Sequence, residues 1–230
     1  VEELYSYMDE LYFWIDSISD VNPNNYSNPT DLLEAMRYEP RDKWSYITTK
    51  EENDQYYEEG TYEGYGFGYA PDSDGNIRIT YLYESSDLKT LGIERGWKIK
   101  SINNITLNES SDMGELLASN TNLFEFESPL GVIFTQTLTK KLITINTVVY
   151  KDVITNGDRK IGYFVFESFI GPSEQELNDL FADFRSENIN ELVIDLRYNG
   201  GGMISIVEQL AGLIVPASLN NQKFLSYIHN

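Results

Sequence analysis

The residues best placed to do chemistry stand together late in the sequence, in Glu191-Leu192-Val193-Ile194-Asp195-Leu196-Arg197-Tyr198-Asn199-Gly200-Gly201-Gly202. An apolar run gives way to Asp-Leu-Arg, then to Asn and a glycine cluster, then to an apolar stretch with helical spacing. Glycines at a strand-to-helix junction expose backbone N–H groups beside a helix N-terminus, a ready site for an anion or an oxyanion. Two other glycine-rich sites do not fit. A phosphate-binding P-loop needs Gly-Lys-Ser/Thr after the run, and a dinucleotide fold needs the G-x-G-x-x-G spacing. Asp195, Arg197 and Asn199 supply the polar groups of this stretch. Residues of these types also cap a strand end and pin a loop.

A second glycine cluster, Gly64-Tyr65-Gly66-Phe67-Gly68-Tyr69, could aim backbone N–H groups at a carboxylate. A strand following it with one open edge could accept an extended peptide. The same letters also suit a tight β-turn with core aromatics. Other chemistries find little support. With no cysteine there is no thiol nucleophile, thiolate metal site or disulfide. The single histidine, His229, is penultimate, where a frayed end is expected rather than a catalytic base. Ser205 and Ser218 lack the small-residue context of a strand-to-helix nucleophile, and Lys223 reads as a surface residue. No His/Asp/Glu cluster has metal-ligand spacing, so neither metal nor cofactor is expected.

The elements that must position these residues follow from periodicity. Leu4, Tyr7, Met8, Leu11, Tyr12, Ile15 and Ile18 predict an amphipathic helix over residues 1–19. A short helix from Leu32 to Met36 follows, with Thr30 as its cap and Pro40 as its stop. Residues 44–62 are acidic and aromatic and read as a loop. From Thr61 the texture becomes short strands and turns, with Asp72 to Asn76 a hairpin signal, Ser86–Leu91 a short helix ended by Gly92, Lys98–Ile102 a strand and Ser111–Ala118 a helix. A last segment places strands at Thr144–Tyr150, Lys160–Phe166 and Glu191–Leu196, with helices at Ser173–Glu187 and Ile204–Ile214. A helix between two apolar strands is a βαβ unit, so a parallel or mixed sheet is expected there. The predicted organisation is α+β and multi-domain: a helical part (1–50), a β-rich part with two helices (51–142) and a βαβ part (143–230).

Composition limits the partners. Of 230 residues, 41% are hydrophobic and 13% aromatic, enough for packed cores. The formal net charge of −20 opposes binding to nucleic acid or to an anionic membrane surface. Its simplest effect is solubility. No apolar run approaches the ~20 residues needed to span a bilayer. The sequence opens at Val1 inside a helical pattern, so a trimmed or mature fragment is expected, any signal segment lying elsewhere.

The words now assemble into a resemblance. Ile161-Gly162-Tyr163-Phe164-Val165-Phe166-Glu167-Ser168-Phe169 followed by the Asp-Leu-Arg and glycine run is similar to the core of S41 serine peptidases, the C-terminal processing and tricorn-like group. Leu91-Gly92-Ile93-Glu94-Arg95-Gly96-Trp97 through Asn103-Asn104 resembles a bacterial PDZ domain, with Trp97 where that family usually has Asp. Arg37 to Ile47 looks like the lead-in of envelope-associated members. The resemblance implies a helical lead-in, a PDZ-like β-barrel or sandwich over 51–142, and the first βαβ part of a ClpP/crotonase-like catalytic core. It implies that Gly201, with Gly200 and Gly202 beside it, gives an oxyanion-hole N–H. It implies that Gly66, Phe67, Gly68 and Tyr69 contact peptide, in a groove against the helix at 111–118. Protein substrates held by their C-termini, cleavage by Ser/Lys acyl transfer and an exported, periplasmic or cell-envelope location complete the expectation. The serine and lysine of such enzymes fall beyond the last residue here, so these 230 residues are expected to be inactive alone and to leave a sheet edge open near 160–196. Such an edge favours swapping or homo-oligomers. A non-catalytic peptide-binding module on a degenerate peptidase scaffold is the alternative.

Overall fold

The architecture comes from a computed structural model, which describes residues 1–39, 41–219 and 222–226. The chain divides into two units, Val1–Glu51 with the described residues from Ser218 on, and Glu52–Ala217. His229 and Pro40 lie outside the described residues.

In the first unit, helix α1 (Glu2–Leu11) packs against α2 (Pro29–Met36) through Met8, Tyr12, Leu32, Leu33 and Met36. Helix α1 is shorter than its periodicity predicts. Tyr12 turns extended, and its hydroxyl donates to Asp42 at 2.8 Å while accepting the Tyr38 N–H at 2.8 Å. Those bonds hold the chain where another helical turn would carry it away, and Ile15–Ser17 forms only a 3₁₀ turn. Asn28, not Thr30, caps α2, its side-chain oxygen accepting the Asp31 N–H at 2.9 Å. Pro29 takes the first helical position, which suits proline and moves the cap two residues earlier. Burial alone would raise the Asp42 carboxyl, but donors on Ser45, Tyr12 and Trp44 outweigh it and hold it at about 2.

The stretch expected as a loop is partly helical. Helix α3 (Lys50–Asp54) runs into a π-helical turn, Gln55–Glu59, ended by Gly60 in the left-handed region. Lys, Glu and Gln are good helix formers, and Tyr56 and Tyr57 pack on a small core of Tyr83, Ile143, Ile145 and Ile170.

The second unit carries eleven strands, in three sheets. Strand β1 (Thr61–Gly64) is followed by β2 (Phe67–Pro71), β3 (Ile77–Leu82), helix α4 (Asp87–Thr90), β4 (Lys98–Ile102) and β5 (Ile105–Thr106). Helix α5 (Met113–Leu116), β6 (Thr121–Glu127), β7 (Ile133–Thr139) and β8 (Lys141–Thr144) complete the PDZ-like part. The main sheet has the order β2-β3-β4-β6-β7, with β5 paired on β4, while β1 pairs antiparallel with β8. It is an open sheet and not a closed barrel. Ile79, Leu88, Ile99, Ile102, Phe124 and Phe126 fill its core, each 2% exposed or less. Asn103 and Asn104, both at positive φ, make the two-residue turn from β4 to β5.

The third sheet has the order β11-β10-β9, built from β9 (Val148–Asn156), β10 (Arg159–Phe166) and β11 (Glu191–Asp195). Strands β9 and β10 are antiparallel, and β10 and β11 are parallel. The crossover is α6 (Ser173–Ser186), whose Leu177, Leu180, Phe181 and Phe184 pack with Phe164 and Phe166. Helix α7 (Ile204–Ile214) adds Ile206 and Leu210 to the same core. The strand expected from Thr144 to Tyr150 is broken: β8 ends at Thr144, and β9 begins at Val148. At the break, the Thr147 hydroxyl and the Val148 N–H both donate to Glu176 Oε2, at 3.1 and 2.8 Å. Among the described residues the outer edge of β11 is unpaired.

Candidate functional site

Strand β11 delivers Asp195 to the end of the parallel pair, where the chain must turn sharply into α7. Asp195 is buried and accepts from the Tyr163 hydroxyl at 2.8 Å and from Arg197 Nε at 2.9 and 3.0 Å. The Arg197 guanidinium, helped by its own N–H and by Tyr163, holds the Asp195 carboxyl well below the ordinary range. Asp195 and Arg197 therefore fasten the strand end. Asn199 fastens the next step: its amide donates to the Phe166 carbonyl at 3.2 Å, and its oxygen accepts the Gly201 N–H at 2.8 Å.

The three glycines are laced to residues 167–169. Gly200 N–H donates to the Glu167 carbonyl at 3.1 Å, Phe169 N–H to Gly201 at 2.9 Å, and Met203 N–H to Phe169 at 2.6 Å. Gly202 thus extends the parallel pairing by one bridge to Phe169. The backbone there needs glycine for two reasons. Gly201 and Gly202 have φ of +99° and +136°, and a Cβ on Gly202 would lie 2.1 Å from the Phe169 oxygen. Of the three glycine amides, those of Gly200 and Gly201 are engaged. Gly202 is an exposed residue, and its N–H has no acceptor among the described residues. The resemblance implies Gly201 as the donor, with Gly200 and Gly202 beside it; the hydrogen bonds leave Gly202 as the free one of the three. A parallel bridge sends one amide of the bridged residue away from its partner, a signal no residue count contains.

The glycine loop before β2 is arranged differently. Gly66 has φ +79°, its carbonyl accepts the Tyr83 N–H at 3.0 Å, and its backbone lies near enough to the Tyr62 hydroxyl to temper the effect of burial on it. Burial pushes that hydroxyl up to about 12. Phe67 is in the core, while Gly68 lies against the Tyr81 ring, 2.4 Å from where a Cβ would stand. Tyr69 is part-exposed, its hydroxyl raised by burial and by the charge of Asp112 at the head of α5. Strand β2 pairs only with β3, so its other edge is open among the described residues. The sequence expectation puts the peptide groove between that edge and α5.

The two sites approach each other through β3 and the turn. The Tyr81 ring lies 6.1 Å from that of Tyr198, and Arg95 sits over Tyr198 at 5.5 Å while donating to its hydroxyl at 2.8 Å. These residues border a cavity of about 400 Å³ that also meets Ile93, Val149 and Val165. Ser205 lies exposed in the first turn of α7, and Ser218 and Lys223 are exposed. No metal-binding group of three acidic or histidine residues occurs among the described residues, and no described helix is long and apolar enough to cross a membrane.

An open antiparallel sheet is thus followed in the chain by a parallel strand pair that ends in a glycine turn. Residues 2–46 match the peptidase S41 N-terminal domain and residues 160–226 match peptidase family S41. The fold of the chain is similar to the crystal structure of a Bacteroides fragilis protein assigned to the S41 proteases, at 22% identity and TM-score 0.62. That match covers 96% of this chain and 60% of the other, so the chain spans about three-fifths of that relative's length. A photosystem II D1 C-terminal processing protease matches at 20% identity and TM-score 0.47, over 68% of this chain and 45% of that one. A PDZ domain protein from Parabacteroides distasonis matches at 13% identity and TM-score 0.32, over 59% and 39%.

Proposed function

We propose that the chain is the N-terminal portion of a serine endopeptidase that binds proteins in a PDZ groove and cleaves them by Ser/Lys acyl transfer. The observation that carries this reading is the glycine turn, where the Gly202 N–H has no acceptor among the described residues while the amides of Gly200, Gly201 and Met203 are engaged. A preorganised backbone donor of that kind suits the oxyanion of an acyl-transfer intermediate. In this reading Gly202 donates directly, and Gly201 donates once the Asn199 side chain swings off its amide. Asp195, Arg197 and Asn199 hold the turn, while the nucleophilic serine and its lysine lie outside these 230 residues. The domains are those of the sequence reading, with peptide entering along β2 through Gly66, Phe67, Gly68 and Tyr69. The open edge of β2 supports the last point, and it equally serves the alternative, a peptide-binding module without catalysis.

The deciding experiment compares this chain with one extended through the expected serine and lysine, using an unstructured protein as substrate. Hydrolysis by the extended chain alone, blocked by a fluorophosphonate, supports the peptidase. Binding by both with hydrolysis by neither supports the module. Preference for C-termini is read by titrating peptides with free and amidated ends, and equal affinity removes it. Export to the cell envelope rests on the likeness of Arg37 to Ile47 to envelope-associated members, and fractionation of the producing cells tests it. Pairing of two copies along the open edge of β11 is tested by light scattering, where a monomer at all concentrations would exclude it.

A further inference from the structure

Glu167 follows β10 directly and is only 6% exposed, yet nothing in the proposed chemistry uses it. Its backbone is tied at both ends. The N–H donates to the Thr147 carbonyl at 2.9 Å, and its carbonyl takes the Gly200 N–H at 3.1 Å. Its side chain meets a cage of tyrosines. The Tyr81 hydroxyl donates to Oε1 at 3.1 Å, the Tyr83 hydroxyl stands beside it, and Tyr62 is close. Oε2 is buried without a hydrogen-bond partner among the described residues. The groups facing this carboxyl are Tyr81 and Tyr83 near β3, Tyr62 on β1 and the carboxylate of Glu176 on α6. None of these supplies a positive charge. Burying a carboxylate without a cation costs several kcal/mol, whereas a neutral acid with one unmade bond costs about 1–3.

The placement gives this acid its consequence. Tyr81 touches Glu167, whose carbonyl holds Gly200, and the Tyr81 ring also touches Tyr198, two residues before Gly200. One side chain of β3 therefore meets both segments that flank the glycine turn. We propose that Glu167 is a positioning residue for that turn, held as the neutral acid in its tyrosine cage, and that its ionisation loosens β3 from the turn. This holds whatever the turn binds and does not rest on the peptidase reading.

The direction with pH follows from the surroundings. Burial raises the Glu167 carboxyl, the Tyr81 and Tyr83 hydroxyls pull it back, and the charge of Glu176 raises it again; the net shift is upward. Stability from the neutral form is complete below the unfolded-state value and is lost as pH rises through the raised one. Glu167→Gln keeps the shape without the charge, so it removes that loss.

Amide exchange over residues 198–203, corrected for intrinsic rates, reads the attachment of the turn. In the unaltered chain the Gly200 amide should exchange about tenfold faster above the Glu167 titration than below it, which corresponds to about 1.4 kcal/mol. In Glu167→Gln it should stay level, and in Tyr81→Phe, which loses a donor to the charged form, the midpoint should move higher. The same pH dependence in the chain and in Glu167→Gln overturns the proposal. Should the Gln variant not fold, the assigned Glu167 carboxyl carbon is followed by NMR in the unaltered chain. A midpoint above the ordinary glutamate value of about 4.3 supports the proposal, and one at or below it overturns it.

Discussion

The turn at Gly200-Gly201-Gly202 and the loop at Gly64 to Gly68 both set glycines beside a strand, and both are candidate sources of free backbone amides. In the turn, glycine answers a demand of the backbone: two residues sit at positive φ, and a Cβ on Gly202 would strike a carbonyl. In the loop, glycine answers mostly a demand of the neighbours. Cβ atoms would meet Ser86 and Ile143 at Gly66, and the Tyr81 ring at Gly68. The loop uses the Gly66 carbonyl to hold the Tyr83 N–H, while the turn keeps the Gly202 amide unengaged among the described residues. Glycine spacing locates a place where the chain bends closely. Which N–H is left over depends on what lies across from it.

The largest effect that could break this contrast is at Gly202. Gly202→Val should cost about 3 kcal/mol or more, because a strained φ adds to a clash with immovable backbone. Urea unfolding followed by circular dichroism measures it, and a cost below about 1 kcal/mol would mean the turn can move aside. Gly201→Ala, with open space around its Cβ, should cost only about 1 kcal/mol through φ alone. At Gly66→Ala the expected cost is about 2 kcal/mol, from φ +79° and a 2.8 Å approach to Ser86. If Gly66→Ala were the costlier of the two sites, the contrast would invert.

Asn199→Ala sharpens the same comparison. It should cost about 1 kcal/mol for two hydrogen bonds at an exposed loop, and it should speed exchange of the Gly201 amide while leaving that of Gly200 unchanged. The smallest effect concerns acid. The Asp195 carboxyl is depressed in the folded chain, so its contribution is present above the unfolded value of about 3.9 and is lost as pH falls through the folded one. Arg197 is 68% exposed, so Arg197→Ala should leave stability at neutral pH nearly unchanged and flatten the acid side of the stability curve. An unchanged acid slope would assign the depression of Asp195 to Tyr163 and the backbone instead.

The parts of the fold that were legible are those in which local pattern and tertiary demand agree. The βαβ unit shows because apolar strands flank a helix of clear period, and Gly92 and Asn103-Asn104 show because only such residues accept positive φ. Residues 50–59 did not show, since their helical turns are held by Tyr56 and Tyr57 packing on residues distant in the chain. Asn28 and Thr30 are both good caps, and only the position of Pro29 decides between them. At the candidate site, the residues that crowd together were legible and the free amide was not. Glu167 was invisible for the same reason: its partner Tyr81 lies 86 positions earlier.

The tyrosine cage also makes the protein its own optical indicator. Burial raises the Tyr81 and Tyr83 hydroxyls far above the usual phenol range, and Tyr62 to about 12. In an alkaline absorbance titration an ordinary phenol turns to phenolate at about pH 10. The caged ones should stay dark until the second unit opens, giving a late, abrupt and irreversible-looking rise in ultraviolet absorbance. That step reports the integrity of the cage without any label, and a variant that loosens it will bring the step to lower pH.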